Sequence, residues 1–381
     1  MTQTTAQQDK QKPDSVTLFV AGDVMTGRGI DQVLPHPGDP RIVESFSHSA
    51  LDYVELAERT TGPIPRPVNF PYIWGDALAA LNAAAPDMRI VNLETTVTRR
   101  GTPWPHKGIQ YRMHPANIPC LTAADIDCCV LANNHVLDWG YAGLEETLTA
   151  LAQAGLSTAG AGPDLAASQA PAILELPGRG RILVYAYGLK SSGIPGAWAA
   201  TAGRPGVNLL PDLSAHTVRE ITKAVNSRQQ PGDVVVASLH WGGNWGYPIP
   251  KAHRHFARAL IDTAGVDLVH GHSSHHPLGI EVYRGRPILY GCGDLINDYE
   301  GISGHAEYRT ELALLYLVTL DLKRGGLLQL EMIPMHRQYF RLNHANRQDS
   351  NWLRATLDRE CRLLGTRVTP LTNATLRLHW T

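Results

Sequence analysis

The chain places metal-ligand-type residues at the ends of separate apolar runs, and this pattern constrains its fold more than any other feature. Asp23 closes LFVAGD, and Glu94 closes MRIVNLE. Asn134 and His135 follow CVLAN, His240 closes DVVVASLH, and His272 and His275 follow VDLVHG. One carboxylate after a strand is ordinary turn chemistry. A succession of such punctuations from position 23 to 275 implies strand ends that converge on one polar site. The mix of carboxylate, amide and imidazole suits one or two hard or borderline divalent ions: Mn, Zn, Ca or Mg.

Composition excludes several alternatives. Lys and Arg total 34 against 35 Asp and Glu, with no basic block, so nucleic acid is not an expected partner. The start, MTQTTAQQDKQKPDS, lacks the apolar core of a signal peptide. No apolar run approaches the roughly 18 residues needed to span a bilayer. No membrane partner and a cytoplasmic location are therefore expected. The cysteines at 120, 128, 129, 292 and 361 are odd in number and irregularly spaced, which favours reduced thiols over a disulfide framework.

Apolar runs alternate with helical patterns early, and hairpins dominate late. Strands are expected at 15–22, 88–94, 126–133, 181–188, 233–240 and 266–271. Helices are expected at 74–87, 142–155, 216–228, 251–265 and 351–365. The stretch 311–335 reads as a hairpin around Arg324, Gly325 and Gly326. This order favours an α/β class with two stacked sheets and helices outside. Residues 1–14 read as a disordered tail, 15–335 as one catalytic domain and 336–381 as a C-terminal extension packed on it. The Pro- and His-rich segment 33–72 reads as an irregular loop or lid.

Several of these motifs together resemble the CapA-type family, named for poly-γ-glutamate capsule biosynthesis and similar to the calcineurin-like metallo-dependent phosphatases. They are GDVM (22–25), NLET (92–95), ANNHVLDWGYAGL (132–144), SLHWG (238–242), GHSSH (271–275) and IEVYRGRPILYGCGDLINDY (280–299). The resemblance implies a four-layer αββα sandwich with a metal centre at the sheet edge. It makes Asp23 a ligand of one metal, to which His275 returns, and Glu94 the bridging carboxylate. It gives the second metal to Asn134, His240 and His272. It makes His135 a residue that assists the leaving group. Met25 stands where phosphatases of this type carry a His, and a thioether is a poor ligand for hard metals.

Further candidates surround these motifs. Cys292 lies in a Gly-rich stretch, where a nearby cation would bring its thiol toward neutral pKa. Asp294 is read as a ligand or as the group that orients His135. Lys107 and Arg112 in HKGIQYR are candidate carboxylate binders, and Trp104, Trp241 and Trp245 are candidate walls of a substrate pocket. With Cys292, His135 and Asp294 as proton carriers, the expected function is Cα epimerisation of a peptide substrate, as in relatives that act on lasso-type precursor peptides. The alternative is a metal-dependent hydrolase or transferase on poly-γ-glutamate, amide or phosphoester substrates. A non-enzymatic peptide-binding role is the third reading.

Overall fold

The structure, a computed structural model, describes residues 14–371 and 375–381. The expected tail therefore lies outside the described residues, apart from Asp14. Sixteen strands build two large sheets. The first sheet receives β1 (Ser15–Val24), β2 (Met88–Leu93), β3 (Cys128–Val130) and β4 (Ser157–Ala159). The second contains β5 (Ala172–Leu176), β6 (Gly180–Gly188), β7 (Val234–His240), β8 (Leu268–His272), β9 (Ile280–Tyr283) and β10 (Arg286–Leu289). The chain then returns to the first sheet with β11 (Asp294–Ile296), β12 (Leu312–Asp321), β13 (Leu327–Gln338), β14 (Arg341–His344), β15 (Thr366–Pro370) and β16 (Leu376–Trp380).

The first sheet runs β15-β16-β13-β12-β1-β2-β3-β4, with β11 beside β1 and β14 beside β13; the second runs β9-β10-β8-β7-β6-β5. Pairs β1–β2, β2–β3, β6–β7 and β7–β8 are parallel. Their carboxyl ends therefore lie together, where ligands bind in open α/β sheets.

Side-chain alternation separates the layers. In β1, Phe19 and Ala21 join an outer core with Val54, Leu81 and Leu144 from helices Leu51–Thr61, Asp76–Ala84 and Gly140–Gln153. Val16, Leu18 and Val20 face the opposite way and meet Val184, Val236 and Leu268 of the second sheet. The outer face of that sheet, with Leu183, Val235 and Val269, packs on helices Ala215–Asn226 and Lys251–Ala264. These are the four layers of an αββα sandwich. Both faces of each sheet are covered, which is why the parallel strands read as nearly continuous apolar runs.

The C-terminal residues are part of this architecture. β16 pairs with β13, and helix Arg347–Arg362 inserts Leu353, Leu357 and Cys361 into the intersheet core. The segment 33–72 differs from an irregular loop, because it contains the helix Leu51–Thr61. Tyr53, Val54 and Ala57 share its buried face at helical spacing.

Candidate metal centre at the strand ends

The polar site begins where the intersheet face stops being apolar. In β7, Val234 and Val236 face the first sheet, and Ser238 and His240 continue that face two and four residues later. In β8, Leu268 is followed on the same face by His270 and His272. Along β1 simple alternation would turn Asp23 the other way. A register shift between Ala21 and Asp23 corrects this: Ala21 pairs with Val91, whereas Asp23 pairs with Asn92. Gly22 is the extra residue, and such a bulge re-aims the side chain that follows it. A Cβ at Gly22 would lie 2.0 Å from the Gly293 carbonyl oxygen, so the bulge requires glycine.

Asp23, Glu94 and Asp294 are thereby buried close together. Asp23 and Asp294 are register partners on adjacent parallel strands. Asn92 donates to Asp23 Oδ1 at 2.7 Å and to Glu94 Oε2 at 3.2 Å, while Asp23 Oδ2 is buried with no hydrogen-bond partner. Burial, with Asp294 adding to it, pushes the Asp23 carboxyl up to about 7. Burial and the Asp23 charge push Glu94 well above the usual carboxylate range. Asp294 goes the other way: burial would raise it, but His275, 2.8 Å away, overcomes this and holds it ionised. Asn297 also donates to Asp294, at 2.8 Å.

Two groups of ligand-type side chains each bring their donor atoms within 4.8 Å of one another: Asp23, His240 and His272, and Asp23, His275 and Asp294. His240 Nδ1 lies 2.8 Å from His272 Nδ1, and His240 Nε2 lies 3.0 Å from Asn134 Oδ1. Crowded carboxylates, an unpartnered carboxylate oxygen and facing imidazole nitrogens fit a cation better than they fit one another. The donor set suits a hard or borderline divalent ion. Asp23 is common to both groups, whereas the resemblance gives the shared place to Glu94. Glu94 Oε1 instead lies 3.8 Å from His135 Nε2 and 3.9 Å from His240 Nε2.

His135 stands beside this centre in a built environment. Its Nδ1 is 2.6 Å from Asp138 Oδ2, and its backbone N–H donates to Asn133 Oδ1 at 3.1 Å. Lys107 Nζ sits 2.9 Å from Asp138 Oδ1 and 3.1 Å from His135 Nδ1. Burial dominates over the Asp138 carboxylate and pushes His135 down to about 4. The carboxylate holds the Nδ1 side and leaves Nε2 toward Glu94. This edge opens to a polar cleft of ≈ 520 Å³ lined by Glu94, Trp104, Lys107, Asn134, His135 and His275, among others. An aromatic compartment with Phe46, Tyr53, Tyr111, Trp245 and His305 adjoins it across Ile109 and Tyr299.

The family model for the bacterial capsule synthesis protein PGA_cap matches residues 17–299, a span that includes all of these residues except His305. The chain belongs to this family. A probable polyglutamine synthesis accessory protein of Mycobacterium tuberculosis is 49% identical over 357 residues, covering 93% of this chain and 94% of that protein. The PGA biosynthesis protein CapA of Bacillus subtilis is 27% identical, covering 84% and 72% respectively. A novel phosphatase of Mycoplasma pneumoniae aligns in structure over 89% of this chain and 99% of its own, at 12% identity and a TM-score of 0.46.

In this PGA_cap-family chain, Asp23, Glu94, Asn134, His135, His240, His272, His275 and Asp294 come together at the strand ends, and Lys107 and Trp104 line the cleft. Other expected residues are placed elsewhere. Trp241 is core: it stacks on His253 at 4.4 Å and donates to the Tyr290 carbonyl at 2.9 Å. Arg112 lies over the Trp139 ring at 3.6 Å and donates to the Asp39 carbonyl, outside the residues that line the cleft. Cys292 packs in the intersheet core, where burial and then Asp23 push its thiol well up. Asp294 pairs with His275, and the group that orients His135 is Asp138.

The sequence reading missed Asn92, Asp138, Ser238 and His270. Three of these are polar residues inside apolar strands. Ser238 and His270 each precede a candidate ligand by two positions, the spacing that shares a strand face. Among the described residues no helix is long and apolar enough to cross a membrane.

Proposed function

We propose that this chain is a metal-dependent enzyme that cleaves or transfers at an amide or phosphoester bond during synthesis of a glutamate- or glutamine-containing polymer. The observation that carries the reading is the pair of ligand groups sharing Asp23 beside the His135–Asp138 pair, with His135 and His275 lining an open polar cleft. The names of the relatives supply the polymer. Asp23, Asn134, His240, His272, His275 and Asp294 would hold one or two divalent ions, with Glu94 beside them. Such ions supply Lewis acidity and lower the pKa of water.

The chain's own residues would do the rest. Asp138 keeps the His135 ring oriented with Nε2 facing the centre, so that this bare nitrogen can take a proton from the attacking nucleophile and pass it to the leaving group. Lys107 adds positive charge to the same wall, suited to a substrate carboxylate. Trp104 is braced edge-to-face by Trp198 and Tyr141, at 5.5 and 5.6 Å, and forms a rigid side of the cleft.

Epimerisation of a lasso-type precursor peptide is the weaker reading. It needs two proton carriers on opposite faces of one Cα. Of the three expected carriers, His135 faces the cleft, Cys292 is packed between the sheets, and Asp294 is engaged by His275 and Asn297.

The test is incubation with Mn²⁺ or Zn²⁺ in heavy water. The substrates are poly-γ-glutamate, glutamine-containing peptides and a chromogenic phosphate ester. Cleavage or transfer without deuterium entry at Cα is the expected result. Deuterium entry without bond cleavage would overturn it in favour of epimerisation.

A further inference from the structure

A buried chain of hydrogen bonds runs behind the candidate ligands. β7 and β8 are in register, with Ser238 opposite His270 and His240 opposite His272. His270 Nε2 lies 2.8 Å from the Ala21 carbonyl oxygen, and His270 Nδ1 lies 3.1 Å from Ser238 Oγ. Ser238 Oγ lies 2.8 Å from His272 Nε2. His272 Nδ1 then faces His240 Nδ1 at 2.8 Å and Asp23 Oδ1 at 3.9 Å.

The direction of this chain follows from its first member. A backbone carbonyl can only accept, so His270 Nε2 carries a proton. The ring is fully buried against a carbonyl and a hydroxyl, and a charge there would be uncompensated. His270 is therefore neutral, with Nδ1 as an acceptor. Ser238 has one hydroxyl proton and gives it to that nitrogen. Its oxygen can then only accept, so His272 Nε2 donates to it. A neutral His272 is left with a bare lone pair on Nδ1, directed at Asp23 and His240.

We infer that Ser238 and His270 are positioning residues that lock His272 in the Nε2–H tautomer and present its Nδ1 to a divalent cation. The same short segment of β1 sets both halves of the site. The Ala21 carbonyl fixes the imidazole tautomer, and the bulge at Gly22, the next residue, aims the Asp23 carboxylate. Outer-sphere partners of this kind orient ligand rings and typically change metal affinity by about 10–100-fold. The inference rests on the reading of the strand ends as a metal centre.

Two measurements test it. Long-range proton–nitrogen correlation on the metal-free, histidine-labelled full chain reads the tautomers directly. His270 and His272 are both expected as single Nε2–H forms, and an Nδ1–H form of His272 overturns the inference whatever any variant does. Titration with Mn²⁺ alone, against a competing chelator, reads affinity. Ser238→Ala is expected to bind about 10–100-fold more weakly and to show mixed His272 tautomers, while Ser238→Thr, which keeps the hydroxyl, recovers most of the loss. Wild-type affinity in Ser238→Ala overturns the positioning role. If the wild type binds neither Mn²⁺ nor Zn²⁺, the metal reading fails by itself, and the tautomer spectrum still decides the lock.

Discussion

The side-chain amide of Asn92 lies 2.7 Å from Asp23 Oδ1, on the strand next to it and at the register position that the bulge brings opposite. Its second proton goes to Glu94 Oε2 at 3.2 Å, and its own oxygen accepts from Asn133 at 2.9 Å. One neutral group thus bridges two buried carboxyls and ties three strand ends together. Asn92→Ala is expected to cost about 1–3 kcal/mol, because it strips donors from buried carboxyl groups. It is also expected to weaken metal binding about tenfold. Urea denaturation and Mn²⁺ titration check both, and unchanged metal affinity would show that Asn92 does not set the ligand geometry.

Gly22 is expected to be as intolerant as a ligand although it has no side chain. An added methyl group meets the Gly293 carbonyl at 2.0 Å, and that atom is backbone and cannot swing away. Gly22→Ala should therefore push β1 from β11, destabilise the fold by about 1–3 kcal/mol and misdirect Asp23. A variant with wild-type stability and metal content would mean that the bulge does not aim the carboxylate.

Arg28 anchors the 33–72 excursion from within. Its guanidinium is bidentate to Asp298 at 2.6 and 2.8 Å, reaches Glu44 at 3.3 Å and lies over the Tyr53 ring at 3.5 Å. All these groups are buried, so Arg28→Met leaves two carboxylates without their counter-ion. The expected loss is about 3–5 kcal/mol, with faster amide exchange in 39–61 than in the sheets. Arg28→Lys should rescue little, because an ammonium cannot make the bidentate contact. Uniform exchange across the chain would contradict the anchoring role.

Stability should fall on mild acidification through His253. It stacks on Trp241 at a 9° interplanar angle, and burial pushes its pKa down to about 4. The folded chain therefore prefers the neutral ring, while the unfolded chain takes up a proton near pH 6.5. The contribution is complete above about pH 6.5 and is lost progressively as pH falls toward 4. The ring keeps 8% exposure, and about 1–2 kcal/mol is expected. His253→Phe keeps the stacking and should flatten this part of the pH–stability curve. An unchanged slope would assign the acid sensitivity elsewhere.

The strand ends were legible because a buried parallel strand is apolar on both faces, so the residue that ends the run stands out. His240 and His272 were found this way. Asp23 was found, but its orientation was not: Gly-Asp after a strand reads equally as a turn, and only pairing with β2 reveals the bulge. Asn92, Ser238 and His270 were hidden because they interrupt apolar runs that local pattern assigns to core. Asp138 was hidden because its role depends on a turn that brings it back to His135. The helix Leu51–Thr61 was masked by the Pro-rich residues around it. Cys292 and Trp241 were misplaced because nearness in sequence to a ligand does not fix which side of a strand a residue faces.

Anomalous scattering from Mn²⁺-loaded crystals of the full chain decides whether the strand ends hold a metal. A peak is expected among Asp23, His240 and His272, with any second peak beside His275 and Asp294, and the first peak is expected to be lost in an Asp23→Asn, His272→Ala variant that still folds. Wild-type crystals with no peak at the strand ends, or with manganese bound only elsewhere, would contradict a metal centre there.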